Sequence, residues 1–208
     1  MISGKIAVNN TGSGMNEALD LTDRTAEALS LSKKDSFHLR LLAEEMLGMV
    51  RAITGDFVAN FWIENDGKDC TLHLSAKSDM DYQKRTDMLS VSTTGRNTAR
   101  LGIMEKIRGF FEAGLWGMDE GFRLQAEYAP DIFGYGALGG IDAGMTEAVY
   151  SWSMQKYKSD VESSRAENPD AWDELEKSII ANIADDVNVG VRRDSAELAV
   201  HKKFGGNN

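Results

Sequence analysis

The stretch RLLAEEMLGMV, residues 40–50, reads as a core helix that carries an anomaly. Each helical residue turns the face by about 100°. With Leu42, Met46, Met49 and Ile53 taken as the buried centre, Glu44 points to solvent and Glu45 lies at the edge of the apolar stripe. Met49 sits one turn further on. Glu45 therefore borders whatever packs on this helix. A rim glutamate in an arbitrary helix is most often salt-bridged or snorkels to water, so its position alone assigns it no chemistry.

Working outward, the helix has a legible start and stop. Ser32 with Asp35 three residues on resembles a capping box, and the stripe Leu39, Leu42, Met46, Met49, Val50 and Ile53 runs to about Thr54, where Gly55 ends it. Upstream, KIAVNN (residues 5–10) reads as a short strand, broken by TGSG. Residues 15–30 read as a helix with Leu19, Thr22, Ala26 and Leu29 at helical spacing. Downstream, ANFWIE (residues 59–64) and CTLHLSA (residues 70–76) flank Asn65, Asp66 and Gly67, the composition of a β-hairpin. Its second run alternates, with Leu72, Leu74 and Ala76 on one face and Thr71, His73 and Ser75 on the other.

Residues 79–97 are polar, with a short helix around Tyr82 to Leu89. NTARLGIMEKIRGFF, residues 97–111, predicts a helix with Ile103, Ile107 and Phe110 on one face. From Gly109 to Gly144 glycine and aromatics dominate, as in FGYGALGG. That segment reads as packing of an extra layer first and as a subunit contact second, because aromatics concentrate at such interfaces. EAVYSWSMQKYK, residues 147–158, is expected as a strand. ENPDAWDELEKSIIANIADD is expected as one helix, with Asn168 as cap, Pro169 in the first turn, and Trp172, Leu175, Ile179 and Ile183 buried. VNVGV and AELAV, joined by RRDS, close the chain as a second hairpin. Helices in runs beside antiparallel strands give an α+β two-layer sandwich: a mixed β-sheet covered on one face by helices.

Composition narrows the function classes. A chain of 208 residues with no linker is expected to form one domain (1–208), large enough to bury a core without staples. The net charge of -10 argues against sequence-independent nucleic-acid binding and against docking on an anionic membrane. No apolar run approaches the ~20 residues of a membrane span. The start MISGKIAVNN lacks a signal-peptide shape, so a cytoplasmic location is expected. Cys70 is the single cysteine and excludes an intramolecular disulfide. His38, His73 and His201 lie on three elements with no ligand partner at metal spacing, so no protein metal site is expected. His38 falls on the buried side of its helix.

LRLLAEEMLGMV, the hairpin ANFWIENDGKDCTLHLSAKSD, RNTARLGIMEKI and SAELAVHKKF occur in an order that resembles the ATP-binding domain of bacterial anti-sigma-factor serine kinases, within the superfamily of histidine kinases, DNA gyrase and MutL. The resemblance covers residues 15–111 and about 187–204, leaving 112–186 as an insert without counterpart. It implies the histidine-kinase-like ATPase fold and three nucleotide motifs. The first, Glu-x-x-x-Asn, implies Glu45 as the group that activates the acceptor and places Met49 where an asparagine oxygen holds Mg²⁺; a thioether is a poor ligand for that hard cation. The second, Asp-x-Gly-x-Gly, falls on SDMDY, with Ser78 in direct alignment and Asp79 one residue on. No glycine follows either. The third, Gly-x-Gly, falls on Thr98 and Arg100, while Gly95, Arg96 and Asn97 just upstream offer a turn and a cation for phosphate.

With the motifs eroded, the expectation is a catalytically inactive regulatory protein that binds a protein partner, with a homodimer as a further option and no cofactor needed. The alternatives are an active serine kinase that binds ATP and Mg²⁺, and a small-molecule binder reusing the former nucleotide pocket.

Overall fold

The computed structural model describes residues 1–53, 57–77, 102–116, 150–166, 169–192 and 195–205. Strand β1 (Ile6–Asn9) is followed by helices α1 (Met15–Ala28) and α2 (Lys33–Arg51), the hairpin β2 (Val58–Asp66) and β3 (Asp69–Lys77), and α3 (Ile103–Trp116). Then come β4 (Tyr150–Ser153), α4 (Met154–Ser163), α5 (Pro169–Lys177), α6 (Ile179–Ile183), β5 (Asp186–Arg192) and β6 (Ser195–Lys203).

The strands form one six-stranded sheet in the order β1-β2-β3-β6-β5-β4. Every pairing is antiparallel. The expectation of a mixed sheet is therefore corrected to an antiparallel one. The cause lies in the connections. The turn between β2 and β3 is too short for a parallel crossover. Between β1 and β2 the chain makes two helical passes, α1 and α2, and an even number of passes returns it in the opposite direction.

Alternation aligns the core-facing residues into rows across the sheet. One row runs Phe61, Leu74, Leu198, Val189 and Trp152; the next runs Ile63, Leu72, Val200 and Val187. All are buried. Each fully buried aliphatic or aromatic side chain here contributes roughly 1.5–3 kcal/mol relative to exposure. Against these rows pack Met15, Ala18 and Ala26 from α1, the α2 stripe, and Ile103, Ile107, Phe111 and Leu115 from α3. The opposite sheet face carries Asn60, Glu64, Thr71, His73, Ser75, Glu197 and His201, none of them buried.

Local chemistry sets the joints. Ser32 caps α2 as expected, its side chain accepting from the Asp35 N–H. Gly14 opens α1 at φ 73°, and a Cβ there would lie 2.0 Å from the Ala7 carbonyl oxygen. Only glycine lets α1 start this close to β1. Asn9 Oδ1 holds the intervening turn by accepting from the N–H groups of Thr11 and Ser13.

Four further readings are corrected. The strand expected over 147–158 is a four-residue edge strand, Tyr150–Ser153, after which the chain enters α4 at Met154. Tyr157 and Val161 are buried at helical spacing, a period that a short apolar run leaves ambiguous. The single helix after Pro169 is two: Ser178 interrupts it and caps α6 by accepting from the Ala181 N–H. That break rotates Ile180 inward and leaves Ile179 43% exposed, against expectation. On α3 the third buried position is Phe111, with Phe110 only partly buried, because the stripe follows i, i+4, i+8. His38 is half-buried, without the full burial its position suggested. The described part of residues 112–186 adds the edge strand β4 and the helices α4 to α6 to this same core. No helix among the described residues is long and apolar enough to cross a membrane.

Candidate functional site

The anomalous glutamate of α2 opens onto a groove. Glu44, Glu45, Gly48 and Met49 of α2 with Ala52 at its C-cap form one wall, and Met104, Glu105 and Arg108 form the other from α3, around a cavity of about 180 Å³. Helical spacing places both walls: Glu45, Gly48, Met49 and Ala52 are three or four residues apart on one edge, as are Met104 and Arg108.

The two glutamates sit differently. Glu44 is exposed and accepts from Arg40 Nε at 2.9 Å; the same arginine also pairs with Asp23 of α1. Glu45 is half-buried, and among the described residues no hydrogen-bond or ion-pair partner reaches it. Burial, aided by the neighbouring Glu44 charge, pushes its carboxyl above the ordinary glutamate value. Arg108 is largely buried and its Nε lies 4.0 Å from the Glu112 carboxylate one turn on.

Of the residues singled out from the sequence, the structure brings Glu45 and Met49 together on this groove. Ser78, Asp79, Gly95, Arg96, Asn97 and Thr98 lie outside the described residues, as do Thr54, Gly55 and Asn168. Sequence reasoning missed the α3 wall. Its signal was the pair Met104 and Arg108, four residues apart and off the Ile103, Ile107, Phe111 stripe.

Among the described residues the groove lining sets the Met49 thioether beside the carboxylate oxygens of Glu44, Glu45 and Glu105. Met49 offers sulfur where Mg²⁺ requires oxygen. The charged lining is three carboxylates against one guanidinium, an unfavourable field for a polyphosphate. Among the described residues no group of three His, Cys, Asp or Glu side chains is arranged to hold a metal.

A second polar cluster lies on the other face of the sheet. The His73 imidazole stacks on the Trp62 indole at 4.7 Å between centroids and 3° between planes. Its Nδ1 lies 3.0 Å from Glu197 Oε1, and its Nε2 lies 3.8 Å from Glu64. Trp62 Nε1 donates to Glu64 Oε1 at 3.2 Å, and Lys5 Nζ sits 4.2 Å over the indole. This network joins β2, β3 and β6, so it reads as a clasp across the sheet. His201 pairs with Asp69 in the same cross-strand manner. Comparison with protein families, curated proteins and solved structures finds no match for this chain.

Proposed function

We propose that this chain is a regulatory protein with a histidine-kinase-like ATPase architecture that no longer transfers phosphate and acts by binding a protein partner. The observation that carries this is the pairing of Glu45 and Met49 on the groove wall: the acid of the family motif is retained beside a thioether that cannot hold Mg²⁺. The element order, with two helices before the hairpin and α3 after it, supports the architecture. So does the position of residues 78–101, between the end of β3 and the start of α3. The excess of carboxylates in the groove supports the loss of nucleotide.

Thermal unfolding with and without millimolar ATP, ADP and Mg²⁺ tests the proposal. A native-state ligand at ~100 times its dissociation constant adds about 2.7 kcal/mol, several degrees in the midpoint of a domain this size. No shift is the expected result. A Mg²⁺-dependent rise overturns it in favour of an active kinase, a reading that the raised pKa of Glu45 favours because such a carboxyl suits a proton acceptor. Met49→Asn sharpens the test: a Mg²⁺-ATP shift that appears only in this variant shows that the methionine is what closed the nucleotide site.

A further inference from the structure

The outward face of α2 and the groove at its C-terminal end form one continuous surface, and its chemistry specifies an occupant. The buried residues of α2 centre on Leu39, Leu42, Met46 and Val50. At 100° per residue the opposite face carries Phe37, Leu41, Glu44, Gly48 and Ala52 within one stripe. Phe37 is 60% exposed and Leu41 half-exposed. Gly48 is exposed, and a Cβ there would meet nothing within 4 Å. From Phe37 to Ala52 the stripe is about 22 Å long, four helical turns. It begins with an aromatic, carries the Arg40-paired Glu44, flattens at Gly48 and ends in a groove lined by Met49, Met104 and Arg108 together with Glu45 and Glu105. Methionine-lined floors accept apolar side chains of varied shape. Of the flanking carboxylates, Glu44 is already paired with Arg40, whereas no ion-pair partner reaches Glu45 or Glu105 among the described residues.

Resting on the partner-binding reading above, we infer that this surface receives a four-turn amphipathic helix of a partner protein. The apolar stripe of that helix lies on Phe37, Leu41 and Gly48, and a lysine or arginine near one end enters the groove between Glu45 and Glu105. Helix-in-groove recognition uses apolar anchors at i, i+3/i+4 and i+7, and the carboxylates fix the direction in which the helix lies. A basic group there also satisfies the Glu45 carboxylate, which burial otherwise disfavours.

The test uses the full chain without nucleotide and a fluorescent peptide of about sixteen residues, four turns of alanine-based helix with one leucine stripe and lysines flanking it at one end. Two control peptides replace the lysines by glutamates or scatter the leucines. The expected result is saturable binding of the first peptide alone. Gly48→Trp, which fills the stripe from open space, and the double variant Glu45→Lys/Glu105→Lys are each expected to weaken it by about tenfold or more. Glu17→Lys, on the exposed side of α1, is expected to leave it unchanged. Equal binding to all variants shows a general attraction of cations to an acidic protein and overturns the inference, as does no binding or equal binding of the glutamate peptide. Circular dichroism of each variant confirms that the fold is intact. Failure here leaves the nucleotide result standing, so it is distinguishable from failure of the inactive-kinase reading.

Discussion

At the residue scale Glu45 and Cys70 show how burial alone changes chemistry. Glu45 releases its proton less readily in the folded chain than in the unfolded one. Between the ordinary value of 4.5 and the raised one the native state binds the extra proton, so stability falls as pH rises through that window. Glu45→Gln should therefore raise stability at about pH 7, with the gain vanishing near pH 4. Urea titrations of both proteins at the two pH values check this. A gain that is larger at the acid end contradicts it. Cys70 is fully buried in β3, and burial with the adjacent Asp69 pushes its thiol up to about 11. Its thiolate fraction near neutrality is then on the order of a hundredfold below that of an ordinary thiol. Labelling by a thiol reagent should proceed only through opening of the sheet, with a rate that rises with denaturant.

At the element scale the glycine that caps α1 and the glycine inside α2 behave oppositely. Gly14 is locked at φ 73° against the Ala7 carbonyl, so Gly14→Ala should cost about 2–4 kcal/mol and loosen α1 from β1. Gly48 lies in mid-helix with open space around it, so Gly48→Ala should stabilise by up to about 1 kcal/mol. Thermal unfolding of the pair gives midpoint shifts of opposite sign. Shifts of the same sign would mean that the backbone at one of these positions relaxes. Ser32→Ala removes the cap of α2 and should cost about 1 kcal/mol.

At the scale of the whole molecule, Lys106 ties three helices together. Its Nζ donates to Tyr157 Oη of α4 at 3.0 Å and to Glu174 of α5 at 2.9 Å. Burial disfavours the ammonium, but the hydrogen bonds and charges of Tyr157 and Glu174 outweigh it and hold its pKa above the usual 10.5. That stabilisation is present in full below 10.5 and is lost as pH rises through the raised value. Lys106→Ala leaves Glu174 half-buried without its cation and should cost about 2–3 kcal/mol at neutral pH. A double-mutant cycle with Glu174→Ala isolates the pairwise part. Additive single effects would show that the tie contributes nothing of its own.

The helices α1 and α2, the Ser32 cap, the central hairpin and the closing hairpin were legible in the sequence, because each is decided by local signals: a 3.6-residue or two-residue period, a cap and turn residues. The rim position of Glu45 followed from the same arithmetic. The change from strand to helix at Met154 was not legible, because a short apolar run fits either period until its neighbours are known. Nor was the break at Ser178, where a serine within a helical pattern becomes a cap only when the core demands a new phase. The antiparallel sense of β1 and β2 depends on the two helical passes between them, and the groove depends on which helix packs beside Glu45. Met104, Glu105 and Arg108 lie some sixty residues from Glu45 in the chain, and only packing α3 against α2 on the shared sheet makes them its neighbours.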